Sequence, residues 1–169
     1  VVLQATDVLW RNAVKASATG TTLVREASAG WDGGASSAQE LPSGDGYTEY
    51  RVSDLTSYVI FGLSHGDDDQ GLGDVDYALY TYPGTGTVMV FEGGAYRATL
   101  GSYAVNDLLR VGVEGGVVTY SVNGVLLYTS STPPVYPLVT DTSLYSSGAS
   151  VSAASCPRRI CISASVTSA

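Results

Sequence analysis

The chain is poor in the residues on which most catalytic and metal chemistry depends. Its 169 residues include one histidine, two cysteines, one methionine and two phenylalanines. Nucleophile–histidine chemistry would have to use His65, and the adjacent Ser64 is only a sequence neighbour, which does not supply triad geometry. Zinc takes about four ligands, and no histidine cluster or second cysteine pair stands ready to complete a site with Cys156 and Cys161. Four residues separate those cysteines, so the redox C-x-x-C spacing is not matched either. A local disulfide loop suits them, with free thiols as the alternative. Lysine is nearly absent (Lys15 alone), and eight basic residues face sixteen acidic ones, leaving a formal charge of −8. That balance disfavours nucleic acid and anionic membrane as partners. No stretch approaches the roughly 20 apolar residues of a membrane-spanning helix. A Walker loop, a His-Glu-x-x-His motif and a dinucleotide fingerprint are all missing.

Glycine (20) and tyrosine (12) are abundant instead, among many serines, threonines and valines. That mixture suits short strands and frequent turns. Residues 108–130 state the pattern most plainly. Leu109, Val111 and Val113 alternate with Arg110, Gly112 and Glu114, so one face is apolar at a period of two. Gly115-Gly116 and Asn123-Gly124 are tight hairpin turns, the second a strong type I′ signal because both of its central residues need positive φ. The spacing predicts an antiparallel meander. Further strands are expected over Val8–Ser17, Leu23–Ala27, Tyr47–Val52, Tyr58–Leu63, Val75–Tyr82, Thr87–Glu92, Tyr96–Leu100, Val135–Val139 and Ser150–Ala153. Asp141 to Leu144 is expected as a short connection. Turn signals at such regular intervals indicate an all-β sandwich or barrel. One β-sandwich domain over residues 1–153 is expected, followed by a Ser/Ala-rich tail over 154–169 that carries the Cys156/Cys161 loop.

Asp107-x-x-Arg-Val-x-Val-Glu-Gly-Gly-x-Val-x-Tyr-x-x-Asn-Gly, residues 107–124, resembles the late strands of concanavalin-A-like β-sandwiches, closest to SPRY-type and lectin/glucanase-type modules. Phe61-Gly62-Leu63-Ser64 and Asp76-Tyr77-Ala78-Leu79 sit where such modules place central strands. Gly30-Trp31 through Ser37, and Asp45-Gly46-Tyr47, resemble blocks of bacterial surface β-sandwich domains. The resemblance spans about residues 8–153 and implies a two-sheet antiparallel jelly roll.

Within that frame the candidate sites are few. Glucanases of this superfold carry paired inward carboxylates that flank one bond. Asp74-Val75-Asp76 and the isolated Glu49, Glu92 and Glu114 do not form that pattern, so catalysis is not expected. Asp67, Asp68, Asp69 and Asp74 crowd a glycine-punctuated loop. Calcium takes six to eight oxygens and such a loop could hold it, although a simply hydrated loop explains the same residues. Trp31-Asp32 on a glycine-rich loop pairs an aromatic plane with a carboxylate, the combination that grips a sugar, and Asp45, Tyr47 and His65 are further ligand candidates. Trp31 would serve equally well as a plug at the end of a sheet. The reading is a non-catalytic extracellular or cell-surface binding module, recognising carbohydrate or mediating adhesion to glycans or surface proteins. The alternative is a self-assembling structural subunit of a filament, sheath or coat.

Overall fold

Alternation of side chains sorts the strands into layers. The computed structural model describes residues 5–152 and 155–157. In chain order the strands are β1 (Ala5–Asp7), β2 (Trp10–Val14), β3 (Ala16–Thr19), β4 (Thr22–Arg25), β5 (Gly34–Leu41), β6 (Gly46–Arg51), β7 (Val59–Ser64) and β8 (Tyr77–Tyr82). They continue as β9 (Thr87–Glu92), β10 (Ala95–Ser102), β11 (Leu108–Glu114), β12 (Val117–Val122), β13 (Val125–Thr129), β14 (Leu138–Leu144), β15 (Ser150–Val151) and β16 (Ser155–Pro157). A seven-stranded sheet runs β10-β9-β8-β7-β14-β5-β2, and a six-stranded sheet runs β1-β16-β6-β11-β12-β13. A small third sheet, β15-β4-β3, closes one side. All strand pairs are antiparallel, and no helix occurs among the described residues. The molecule is an antiparallel jelly-roll sandwich of the concanavalin-A-like kind.

Alternate residues of the central strands of the two large sheets enter one shared core. Phe61, Leu63, Leu79, Val88 and Val90 from the seven-stranded sheet meet Tyr50, Leu109, Val111, Val118 and Tyr120 from the six-stranded one. Each such side chain contributes about 1.5–3 kcal/mol by leaving water. The meander forms as expected, and Asn123 and Gly124 both hold positive φ, 51° and 79°. At Gly62 the strands approach so closely that a Cβ would overlap the Tyr77 carbonyl of β8.

The structure departs from the pattern read in the sequence in several places, among them β5, an eight-residue strand outside the expected set, and β14, which begins at Leu138 and not at Val135. Val8–Ser17 is two strands, because Lys15 at φ 51° turns the chain from the seven-stranded sheet into the third sheet. Asp141–Leu144 is the second half of β14, a strand buried along its whole length. Its run of hydroxyls looks like a loop in sequence, yet each is satisfied inside: Thr140 Oγ1 donates to Thr48 Oγ1 (2.8 Å), Thr142 Oγ1 to the Ala35 carbonyl (2.8 Å) and Ser143 Oγ to the Gln70 carbonyl (2.7 Å). Beyond residue 153, Ser155–Pro157 lies between β1 and β6, so the six-stranded sheet draws on the expected tail. The Cys156–Cys161 pairing lies outside the described residues.

Candidate functional site

The seven-stranded sheet carries apolar and aromatic side chains on both faces. Phe61 and Leu79 point into the core, so Ile60, Gly62 and Ser64 of β7 and Ala78, Tyr80 and Tyr82 of β8 belong to the outer face. By the same parity Asp141 and Ser143 of β14 lie there too. Register fixes two neighbouring rows. One reads Ser36–Asp141–Gly62–Ala78–Phe91, and the next reads Ser143–Ile60–Tyr80–Met89. The loop between β7 and β8 folds back over this face, and its Leu72 packs against the cluster of Ile60, Val75, Ala78 and Tyr80.

That fold-back brings three carboxylates together. One oxygen each from Asp67, Asp74 and Asp141 lie within 4.8 Å of one another. Asp141 is almost fully buried, at 1% exposure. Its Oδ2 accepts from Ser64 Oγ (2.9 Å) and its Oδ1 from the Thr142 N–H (2.8 Å). Ser64 Oγ also lies 3.1 Å from the Asp74 carbonyl and accepts the Asp76 N–H at 3.2 Å. Asp67 Oδ2 accepts from Ser36 Oγ (2.6 Å) and Asn12 Nδ2 (3.3 Å). The Asp68 N–H donates to Asp74 Oδ2 at 3.2 Å. No lysine or arginine among the described residues forms an ion pair with any of the three. Burial, reinforced by the charges of Asp67 and Asp74, pushes the Asp141 carboxyl well above its ordinary range. Asp74 is raised as well, by burial first and then by Asp69 and Asp67. Three hard oxygen donors, crowded and without a countercharge, fit a divalent cation such as calcium.

One row away lies a cluster of rings. Trp31 sits 5.5 Å edge-on from Tyr80 and 5.0 Å from Tyr145, while Tyr58 contacts Tyr80, Tyr82 and Tyr145 at 5.3–6.4 Å. Phe91 and Tyr96 extend the row at 6.0 Å. Tyr58, Tyr82, Tyr145, Phe91 and Trp31 are each partly exposed.

A cleft of about 520 Å³ opens at the end of the sandwich beside the same loop. His65, Asp68, Asp76, Tyr77, Glu92 and Arg97 supply most of its walls. Glu92 faces inward at the end of β9. Its Oε1 accepts from Tyr120 Oη (2.9 Å) across the layers, and its Oε2 pairs with Arg97 Nε at 3.3 Å.

The residues singled out in the sequence divide between several places. Asp67 and Asp74 join the carboxylate cluster, while Asp68 lines the cleft and Asp69 accepts the Gly71 N–H at 2.6 Å. Trp31 lies on the aromatic face. Asp32 beside it is bound to Lys15 and Arg25, which hold its carboxyl below the usual range. Arg25 is buried; it donates to the carbonyls of Ser28 and Leu144, and Gly33 leaves room for its guanidinium. The glycine-rich loop is therefore built around Arg25. Asp45 and Tyr47 belong to the other sheet: Asp45 accepts the Gly115 N–H (2.9 Å), and Tyr47 lies under Arg110 (3.7 Å). Neither meets Trp31, because they border the opposite outer face of the sandwich. His65 edges the cleft. Asp141 was hidden in sequence by its 74-residue separation from Asp67, and the one available signal was a carboxylate inside an otherwise uncharged Val139–Leu144 run.

This outer face, loop and sandwich define a concanavalin-A-like β-sandwich of SPRY-like form. The TRIM65 PSpry domain is similar at TM-score 0.68 and 16% identity, over 87% of this chain and 91% of that one. The exoplasmic/lumenal domain of VIP36, solved with Ca²⁺ and Man3GlcNAc bound, matches at 0.59 and 8% identity, over 88% and 83%. The Emp47p carbohydrate recognition domain matches at 0.54 and 10%, over 88% and 87%. No family model matches the chain, and no curated protein matches its sequence.

Proposed function

We propose that this chain is a non-catalytic, calcium-dependent carbohydrate-binding module that works outside the cell. The observation carrying this reading is the juxtaposition on one sheet face of the Asp67–Asp74–Asp141 cluster and the Trp31/Tyr80/Tyr145 rings. Tyr80 stands two residues along and two strands across from Asp141, roughly 12 Å between backbones, so the cation and the rings would meet different parts of an oligosaccharide. A cation held by the three aspartates would fix the loop and offer open positions to sugar hydroxyls, while the rings receive the apolar face of a pyranose. The VIP36 and Emp47p domains support the reading as carbohydrate-binding examples of this fold. Extracellular calcium levels suit a site of only three carboxylates.

The test is a glycan array run in calcium and in EDTA with wild type, Asp141→Asn and Trp31→Ala. Binding that needs calcium and is lost in both variants is the expected result. Binding unaffected by EDTA and by Asp141→Asn would overturn it. A second reading, assembly into a filament or coat, has one observation behind it. The edge strand β13 exposes Val125, Leu126 and Leu127 in succession.

A further inference from the structure

The cleft at the sandwich end is a second binding site, and we propose that it takes an organic cation, an alkylammonium or guanidinium group on a short apolar stem. Its walls carry three carboxylates, Asp68, Asp76 and Glu92, against one arginine, Arg97. Glu92 sits at the inner end with its side chain only 4% exposed, so its negative charge is held in a largely dry setting. A charge in that position must be matched by a cation.

The match at present is partial. Arg97 is 45% exposed and approaches Glu92 most closely through Nε at 3.3 Å, longer than the roughly 2.7–2.9 Å of a strong charge-assisted bond. It shows that a guanidinium fits against Glu92, and it holds the place loosely enough to be displaced. Asp76 Oδ2 accepts the His65 N–H (2.7 Å), which fixes that carboxylate at the rim.

Spacing decides between a bare ion and a larger cation. Among the described residues only Asp67, Asp74 and Asp141 bring carboxylate oxygens within 4.8 Å of one another as a group of three. Asp68, Asp76 and Glu92 form no such group, so one metal ion cannot engage all three. A volume of about 520 Å³ accommodates a cation of several atoms, and it falls in the range of small-molecule sites. The Tyr77 ring and Val135 give the stem an apolar wall. Tyr77 Oη is itself tied to the Pro133 carbonyl at 2.7 Å, which keeps that wall in place. Free diamines and the basic side chains of a protein partner share this chemistry.

Calorimetry on the whole chain with 1,4-diaminobutane, and separately with an Arg/Lys-containing peptide, distinguishes those sources; calcium chloride serves as the inorganic control. Saturable binding of either organic cation in the presence of calcium is expected. Glu92→Gln keeps the acceptor for Tyr120 and should weaken binding about tenfold or more. Arg97→Ala removes the internal competitor and should tighten it, a sign that a purely structural Arg97 would not produce. Both variants should retain calcium binding at the aspartate cluster, so failure here is separable from failure of the carbohydrate reading. Absence of saturable binding up to about 10 mM of either ligand, or binding unchanged in both variants, overturns the proposal.

Discussion

Asp141 is a fully buried carboxylate whose neighbours are two more carboxylates. Without a cation this arrangement opposes folding, and its pH dependence has a definite sign. The folded-state pKa is raised above the ordinary value of 3.8, so the folded protein binds the proton more tightly than the unfolded chain does. The Asp141 contribution to stability in EDTA should therefore be fully present below the ordinary carboxylate range and be lost as pH rises through the raised pKa. Thermal melts of wild type against Asp141→Asn across that titration check it, and a wild-type melting temperature that climbs relative to the variant toward pH 7 in EDTA would contradict it. Asp141→Asn should melt at or above wild type in EDTA. Calcium at about 100 times its Kd should add about 2.7 kcal/mol to wild type and little to the variant. Legibility at this scale was uneven. Asp67 and Asp74 could be read as cation ligands because they are close in sequence, whereas Asp141 could not, since only the pairing of β14 with β7 places it under the loop.

Strands were the most readable elements. A period of two and an Asn-Gly turn are local properties, so β11 to β13 follow from residues 108–130 directly. The polar half of β14 follows from nothing local, because its hydroxyls are satisfied by partners 73 to 107 residues away. In the Gly30–Gly34 loop the bond from buried Arg25 to Asp32 is likewise not legible locally, whereas Trp31 joins the rings of the outer face. Arg25→Met should cost about 2 kcal/mol, as the Ser28 and Leu144 carbonyls lose their donor. Gly62→Ala should cost about 3 kcal/mol or more, because the new methyl would displace the β8 backbone. Urea midpoints measure both, and an unchanged midpoint for either would refute the corresponding packing argument.

For the whole molecule, self-association would run through the exposed edge of the six-stranded sheet. β13 is apolar and solvent-facing, but its pairing with β12 slips by a residue between Tyr120 and Ser121, and such a bulge twists an edge away from further pairing. Sedimentation should give a monomer at all concentrations for wild type and for Leu127→Lys alike. Concentration-dependent growth abolished by Leu127→Lys would establish assembly instead. One atom also ties the aspartate cluster to the residues that wall the cleft. Ser64 Oγ carries a single proton and faces two acceptors, the Asp141 carboxylate and the Asp74 carbonyl, while the Asp76 N–H occupies it from the cleft side. It can serve only one acceptor at a time. A cation taking over the Asp141 oxygen would free the hydroxyl to turn toward Asp74, so filling the cluster would be felt as a rotation of one O–H bond behind His65 and Asp76 of the cleft wall.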